Sequence, residues 1–407
     1  MVRGLSVVGL FAGIGGIELG FERAGHHAEL LCELDPNAQK VLRTRFPHAR
    51  LHSDVCTLRS LPKVDVVAAG FPCQDLSQAG GTAGINGSRS GLVDEVFRLV
   101  GKSKSSPTWL LIENVPFMLQ LDRGRAMAHL TSALSELGFS WAYRVVDTRS
   151  FGLPQRRQRV IVLASRTADP RTVLFQDDAP TNEQTETTGR ACGFYWTEGL
   201  KGLGWAVDAV PTLKGGSTIG IPSAPAVWDV DGSIGTPHIE DAERLQGFPA
   251  GWTEPSVDDP ARRNGPRWKL VGNAVSVPVA EWAGQRLVQL SAPAVGEYEL
   301  LQPGEPWPRA ACGKDGKAYR VKVGAWPDQR PYQHLHDLLT HPLRPLSERA
   351  LAGFLQRAER SSLHFPAGLL DAVRIQQLHS AIAAIHEGGR PTNRADGSRA
   401  RARATSR

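Results

Sequence analysis

LFAGIGGIELGF, residues 10–21, joins a short apolar segment to one with helical spacing. Gly13, Gly15 and Gly16 permit a tight turn and let a ligand approach the backbone at the start of a helix. Glu33 ends the next apolar segment, a position where an acidic side chain typically accepts hydrogen bonds from ribose hydroxyls. The pattern is G-x-G-G rather than G-x-G-x-x-G, which disfavours a nicotinamide dinucleotide. Such a turn on its own is equally compatible with a purely structural role.

Around this turn, short apolar segments alternate with helical ones as far as residue 165. The predicted strands are 5–10, 28–33, 64–70, 108–113, 143–147 and 159–164. The predicted helices are 16–24, 36–46, 92–102 and 124–137. Asp35 followed by Pro36 is typical of a helix N-terminus. The alternation predicts an α/β fold with a doubly wound, mainly parallel sheet, in which ligands bind beyond the carboxyl ends of the strands.

The composition changes near residue 167. Residues 167–240 are rich in Gly, Pro, Thr and Trp, which predicts a smaller, mostly β or irregular unit. Helical spacing returns at 276–290 and again at 369–385, within a C-terminal extension, 296–389, whose role the sequence does not indicate. Residues 390–407 carry six Arg and one Asp, and we expect a disordered basic tail.

Composition excludes several classes of protein. With 41% hydrophobic and 22% charged residues, the chain is not wholly disordered, and no run of 18 apolar residues predicts a membrane span. Five cysteines without a CxxC pair argue against a disulfide framework or a cysteine zinc site, and for a reducing compartment. The net charge of +6 resides mostly in the tail, so charge alone does not indicate a nucleic-acid partner.

GFPCQDLSQAG, residues 70–80, follows a predicted buried strand. Cys73 lies at the edge where active sites collect, and a thiolate is the nucleophile that attacks electron-poor ring carbons. The alternative is a buried structural cysteine. The Gly- and Ser-rich stretch 80–91 that follows is predicted to be a mobile lid, in which Arg89 could contact phosphate.

Two further motifs carry charged side chains at strand ends. In IENV, residues 112–115, Glu113 follows a buried segment and suits a group that donates a hydrogen bond or a proton, although an ordinary strand-end glutamate would look the same. In FGLPQRRQRVIVLAS, residues 151–165, the side chains of Gln155, Arg157 and Arg159 alternate and are expected on one side. Guanidinium groups fixed there suit an anion or a carbonyl oxygen, whereas a solvated charged edge is the alternative.

These motifs occur together in one order: FAGIGG, Glu33, GFPCQ, ENV, QRRQR, ERLQGFP (243–249) and GNAVSVPVA (272–280). In that order and spacing they resemble the bacterial DNA (cytosine-5) methyltransferases, over roughly residues 5–290. The resemblance implies the fold of the S-adenosylmethionine-dependent methyltransferases. It divides the chain into a catalytic and cofactor-binding domain at 1–166, a target-recognition domain at 167–240 and returning catalytic motifs at 241–295.

The resemblance also implies roles for individual residues. Phe11, Gly13, Gly15 and Gly16 would surround the methionine part of S-adenosylmethionine, Glu33 its ribose and Asp54 its adenine, with Asn273 closing the far side. Cys73 would add to carbon 6 of cytosine, Glu113 would hold ring nitrogen 3, and Arg157 would orient the base through its carbonyl oxygen. The residues expected to contact DNA are Pro72, Gln74, Ser77, Arg89, Asn114, Gln155, Arg159 and Thr212. We expect no metal, because the twelve histidines have no ligand-type spacing.

Double-stranded DNA with a flipped-out cytosine is the implied substrate. We expect a cytoplasmic monomer associated with the nucleoid through DNA, in a restriction-modification or related epigenetic system. Whether a cognate restriction endonuclease acts on the same site is left open by the sequence. Residues 168–240 contain four Lys or Arg and ten Asp or Glu, so phosphate binding would depend on flanking arginines. A transfer-RNA cytosine methyltransferase of the same fold is the alternative, but its Cys-Phe-Thr signature is missing. A catalytically silent relative would be expected to lose Cys73, Glu113 or Arg157.

Overall fold

The structure is a computed structural model that describes residues 3–71, 91–102, 106–216, 223–257, 265–293, 297–314 and 316–388. The strands of these residues are β1 (Ser6–Leu10), β2 (His27–Cys32), β3 (Arg50–His52), β4 (Val66–Ala69), β5 (Trp109–Asn114), β6 (Ser140–Asp147), β7 (Gln155–Arg156), β8 (Gln158–Ser165), β9 (Cys192–Phe194), β10 (Trp205–Val207), β11 (Val210–Pro211), β12 (Ala226–Trp228), β13 (Ile234–Thr236), β14 (Tyr298–Leu300), β15 (Ala310–Lys314), β16 (Lys317–Val321) and β17 (Arg344–Pro345). The helices are α1 (Gly16–Arg23), α2 (Pro36–Arg45), α3 (Leu92–Gly101), α4 (Arg125–Glu136), α5 (Arg171–Leu174), α6 (Ile239–Leu245), α7 (Gly265–Asn273), α8 (Val277–Leu287), α9 (Leu335–Leu338), α10 (Glu348–Arg360) and α11 (Leu369–Gly388). Short 3-10 helices occupy Pro116–Leu119, Leu121–Gly124, Thr148–Phe151, Leu200–Gly202 and Glu254–Ser256.

A mixed sheet of ten strands forms the centre of the described structure, in the order β14-β16-β15-β6-β8-β5-β4-β1-β2-β3. The strands from β5 to β3 in this order are parallel, and those on the other side of β5 pair antiparallel. Successive residues enter opposite apolar cores: Val8 and Val67 lie in one, and Val7 and Val66 in the other. The predicted α/β fold is confirmed, and each strand and helix predicted before residue 165 has an observed counterpart whose limits differ by three residues or fewer.

The helix that follows the glycine-rich turn is packed against a helix from the other end of the catalytic motifs. A Cβ atom on Gly20 of α1 would lie 2.6 Å from the Cβ of Ala280 in α8, so the two helices approach closely only because residue 20 is glycine. Gly284 of α8 makes the converse contact, since its Cβ would lie 3.0 Å from the ring of Phe21. The sequence near residue 280 therefore belongs to the same unit as the N-terminal turn.

The residues predicted to form a C-terminal extension contribute strands to both of the larger sheets. β15 pairs with β6 and extends the central sheet through β16 and β14. The buried guanidinium of Arg144 in β6 fixes this arrangement, because it donates to the carbonyl of Gly324 at 2.9 Å and to the Asp178 carboxylate at 2.5 Å. β17 instead becomes the edge strand of the second sheet, whose order is β10-β9-β12-β13-β17.

Candidate active site

The glycine-rich turn after β1 is held in a left-handed conformation by the end of β2. Phe11, Gly13 and Gly15 have φ angles of 57°, 57° and 83°, which glycine adopts readily and phenylalanine only under constraint. The Gly13 N–H donates to Oε2 of Glu33 at 2.8 Å, and the Asp35 N–H donates to Oε1 at 2.7 Å. Glu33 therefore shapes the turn itself, in addition to any bond it makes to a ligand.

The returning segment at residues 272–278 closes this turn from the other side. A Cβ atom on Gly16 would lie 2.4 Å from the carbonyl oxygen of Val275, so no larger residue fits there. Asn273, the predicted far-side cofactor residue, lies against the backbone of Gly215, whose Cβ would meet the Asn273 Oδ1 at 2.2 Å. The structure thus brings together residues far apart in the sequence, as expected for a cofactor site at the end of a parallel sheet.

Asp54 lies just beyond β3, at the same end of the sheet. Its Oδ1 accepts the N–H of Cys56 at 2.9 Å, which fixes the carboxylate in the turn after the strand. The carboxyl ends of β1, β2 and β3 therefore present Gly13, Glu33 and Asp54 in a row.

Glu18 is a buried acid that sequence analysis did not single out. It lies on the first turn of α1 with an exposed fraction of 2%, and its Oε1 sits over Gly9, leaving no room there for a Cβ. Within the described residues, Oε2 has no hydrogen-bond partner. Burial, reinforced by the neighbouring charges of Glu22 and Glu33, raises the pKa of Glu18 to about 8.

Glu113 and Asn114 end β5 at the same edge of the sheet, and each has a specific partner. The carboxylate of Glu113 accepts from Nε of Arg159 at 2.8 Å, and both side chains are nearly buried, with exposed fractions of 10% and 12%. Asn114 donates its Nδ2–H to the carbonyl of Phe71 at 3.1 Å and accepts the N–H of Val115. Asn114 therefore anchors the residue that immediately precedes the proline-cysteine segment.

Arg157, predicted to orient the base, forms no hydrogen bond with this pair in the part of the chain that the structure describes. Its guanidinium is 1% exposed and donates to the main-chain carbonyls of Leu213 at 2.9 Å and Ala274 at 2.6 Å, with longer bonds to Gly272. Burial, together with the neighbouring charge of Arg159, lowers the pKa of Arg157 well below its usual range. The group that contacts Glu113 is Arg159, for which the resemblance implied a contact with DNA.

Gln155 and Thr212, both predicted to contact DNA, also serve the internal structure. The amide of Gln155 is fully buried, donates to the carbonyl of Leu245 at 2.8 Å and accepts the N–H of Leu213 at 3.0 Å. In this structure, both polar atoms of the Gln155 amide are therefore bonded within the protein. Thr212 is half-buried, and its hydroxyl donates to the carbonyl of Arg156 at 2.8 Å. Pro72, Cys73, Gln74, Ser77 and Arg89 lie outside the described residues.

Comparison with known proteins decides the family. The sequence profile described as C-5 cytosine-specific DNA methylase matches residues 5–193. The chain is 51% identical over 368 residues to the Type II methyltransferase M2.BsuMI of Bacillus subtilis, covering 88% of this chain and 94% of that protein. The chain belongs to the C-5 cytosine-specific DNA methylases. The predicted resemblance is confirmed, and the transfer-RNA alternative is not favoured.

Other relatives of this methylase share shorter stretches or the fold alone. It is 35% identical over 176 residues to the Type II methyltransferase M.BanI of Aneurinibacillus aneurinilyticus, covering 42% of this chain and 40% of that one. The crystal structure of the S. pombe Dnmt2 methyltransferase superposes with a TM-score of 0.50 at 15% identity, covering 70% of this chain and 98% of that one. The second likeness supports the methyltransferase fold. Membership of the family implies use of S-adenosylmethionine.

No helix of the described residues has both the length and the hydropathy needed to cross a bilayer. A polar junction of the methylase does bring together three groups of metal-ligating type, His238, Glu240 and His341, with ligand atoms within 4.8 Å of one another. Each already has protein partners. His238 accepts the Glu240 N–H, and His341 contacts the buried Asp241 carboxylate and the guanidinium of Arg244. The hundred residues between His238 and His341 explain why sequence spacing did not indicate this junction.

Proposed function

We propose that this methylase modifies carbon 5 of one cytosine in a specific duplex DNA sequence, through a covalent adduct with Cys73 and base flipping. The observation that carries the assignment of the site is the Glu113–Arg159 ion pair at the carboxyl end of β5. It lies beside Phe71, two residues before Cys73 in the chain, and at the same sheet edge as the glycine-rich turn.

The residues at the glycine-rich turn fit S-adenosylmethionine. Among the described residues, nothing lies within 4 Å of a Cβ atom placed on Gly13, which leaves space next to Glu33 that suits a ribose. Phe11 and Phe71 contact each other edge to face, with centroids 6.3 Å apart, and offer an apolar wall. When bound, S-adenosylmethionine supplies an electrophilic methyl group for carbon 5.

The chain's own residues would make carbon 5 reactive. The Cys73 thiolate forms a bond to carbon 6 of cytosine and pushes electron density toward carbon 5. Glu113 holds ring nitrogen 3, while Arg159 steadies the Glu113 carboxylate and presents its remaining N–H groups to the carbonyl oxygen of the base. After methylation a water molecule removes the proton from carbon 5, the bond from sulfur to carbon 6 breaks, and the thiolate leaves.

The similarity to named Type II methyltransferases supports a place in a restriction-modification system. In that role the enzyme would methylate the host's copies of a site that a cognate restriction endonuclease cuts. Flipping the target base out of the duplex costs a few kcal/mol, and contacts in the pocket and along the DNA backbone would offset that cost. We also propose that the protein acts as a monomer.

The test is methyl transfer from labelled S-adenosylmethionine to duplex DNA, single strands and transfer RNA. The wild-type protein should modify duplex DNA, with 5-methylcytosine at one sequence when mapped at base resolution. Cys73→Ala should abolish transfer and leave DNA binding intact, because only the covalent step needs the thiolate. Cys312→Ala, which changes a cysteine of β15 in the C-terminal part of the central sheet, is the matched control and should retain activity. Turnover of Cys73→Ala within tenfold of wild type would refute the mechanism.

A further inference from the structure

The second sheet is not complete without the end of the chain. β17 pairs with β13, and helices α10 and α11 cover the sheet. Phe194 of β9 packs on Phe354 of α10 with ring centroids 4.8 Å apart, in a core that also contains Ile234 and Val373. Arg357 donates to the carbonyl of Trp196 at 2.6 Å. The predicted recognition domain, 167–240, therefore shares one apolar core with residues 344–373.

A polar clamp strengthens the same connection. Asp208, in the turn after β10, is 1% exposed and has a φ of 49°, a conformation that a non-glycine residue keeps only when its surroundings enforce it. Three groups from the C-terminal segment hold it. Tyr332 donates its hydroxyl to the Asp208 carbonyl, His334 contacts one carboxylate oxygen at 2.5 Å, and the Leu335 N–H donates to the other at 2.9 Å.

The segment that links α10 to α11 reaches the surface beside this sheet. The indole of Trp205 in β10 donates to the carbonyl of His364 at 2.8 Å, which fixes residues 361–365 against the edge strand. Ser362 and His364 are exposed there and line an open cavity of about 520 Å³ together with Arg156 and Trp205. Arg156 is also exposed, and its guanidinium forms no ion pair with any of the described residues.

Direct contacts join this cavity to the active-site edge. Asn273 lies against Gly215, and the ammonium of the preceding Lys214 stands 4.1 Å from the ring centre of Tyr195. The hydroxyl of Tyr195 donates to the carbonyl of Thr212, whose own hydroxyl donates to the carbonyl of Arg156. A chain of direct contacts through Tyr195 and Thr212 therefore links the cavity to the predicted cofactor residue.

We infer that residues 361–365, with His364 at their centre, contact the target duplex beside Arg156 and help to determine which sequence is methylated. The inference rests on the proposed function, because it assigns a second recognition element to the same reaction. An unpaired arginine at the surface suits phosphate, while an exposed imidazole and hydroxyl can donate to or accept from base edges. Recognition then involves two parts of the chain that are more than a hundred residues apart.

The test uses the full-length enzyme and base-resolution mapping of 5-methylcytosine on plasmid DNA. His364→Ala and Ser362→Ala should each keep methyl transfer but relax discrimination at one base pair by about 10-fold to 100-fold, the value of one base-edge contact. Arg156→Ala should instead raise KM for all sequences alike and weaken its salt dependence. His379→Ala, an exposed histidine on α11 outside the cavity, is the matched control and should reproduce the wild-type pattern.

The outcomes separate this inference from the proposed function. A wild-type protein without 5-methylcytosine at any sequence would refute the proposed function itself. Active His364→Ala and Ser362→Ala proteins that keep the wild-type sequence pattern would refute only the inference, even if their KM rises uniformly. Both substitutions lie at the surface, and an unchanged Tm for each variant would exclude misfolding as the cause of relaxed discrimination.

Discussion

Nε of Arg159 lies 2.8 Å from Oε1 of Glu113, and this ion pair joins the start of β8 to the end of β5. Antiparallel pairing of the two strands sets the distance, because Glu113 pairs with Ile161, two residues beyond Arg159. The two side chains are therefore fixed by the sheet before any substrate arrives. Charged groups that are already in place can stabilise the charge that develops on a reacting ring without having to rearrange first.

Glu113→Gln should slow the chemical step by about 100-fold or more. The amide fits the same space, but it cannot donate and accept a proton as the carboxyl group does. Single-turnover transfer to duplex DNA measures this step directly. Glu359→Gln removes a carboxylate from an exposed ion pair with Arg374 and is the control, for which the rate should not change. An unchanged rate for Glu113→Gln would remove this residue from the mechanism.

Arg159 and Arg157 should give opposite results when each is changed to alanine. Arg159→Ala should lose most of the turnover, and its Tm should fall less than that of Arg157→Ala, because its guanidinium holds the one carboxylate of Glu113. Arg157→Ala should lower Tm strongly, since buried carbonyls left without donors cost about 1–3 kcal/mol each. A stable but inactive Arg157→Ala protein would instead restore Arg157 as the group that orients the base.

Glu18 should make stability depend on pH. Its pKa of about 8 in the folded protein, against 4.5 for the unfolded group, means that the folded state keeps a proton that the unfolded chain loses. Stability should therefore decline as pH rises from about 4.5 to about 8, then become level. In Glu18→Gln this contribution is absent, so the variant should gain unfolding free energy relative to wild type across that window.

Denaturant unfolding at about pH 5 and about pH 8 measures the Glu18 effect. The exposed Glu136→Gln serves as control and should follow the wild-type curve. If the difference between Glu18→Gln and wild type is the same at both pH values, the carboxyl group is ionised in the folded state and the prediction is wrong.

Transfer of sequence specificity between enzymes should require both parts of the second sheet. A chimera that receives only residues 167–240 should be insoluble or inactive, because the apolar faces of Phe194 and Ile234 lose their partners. A chimera that also receives residues 330–388 should fold and acquire this enzyme's target sequence. Methylome sequencing of both chimeras measures the sequence that each one methylates. Methylation of this enzyme's target by the chimera that has only residues 167–240 would show that the C-terminal segment is dispensable.

Much of the fold could be predicted because its signals are local. Apolar segments of strand length, helical spacing and the Asp35 N-cap, which accepts the N–H groups of Asn37 and Ala38, all depend on neighbouring residues. The attachment of β15 to β6 and of β17 to β13 could not be predicted, because pairing between distant short strands leaves no periodic signal. The first pairing places β14, β15 and β16 in the central sheet, and the second places β17 in the second sheet.

The candidate site shows the same division. The Gly13–Glu33 relationship follows from motif spacing, since a turn after one parallel strand meets the end of the next. The choice between Arg157 and Arg159 does not, because alternation puts both on one side of the strand. It is decided by where the carbonyls of Leu213 and Ala274 fall in three dimensions. The burial of Glu18 could not be predicted, because an acidic residue in the first turn of a helix is ordinarily explained by its favourable interaction with the helix dipole.

The attachment of β15 to β6 also covers what would otherwise be an unpaired edge of the central sheet. β6 is eight residues long and nearly all of it is buried, so without β15 it would offer a long, apolar, unpaired edge to other chains. Apart from the buried Val321, the residues of β16 and β14 are half-buried or exposed, and they include the charged Arg320 and Glu299, which suits an edge that meets solvent. A protein truncated near residue 295 would keep every methylase motif and yet be prone to self-association through β6.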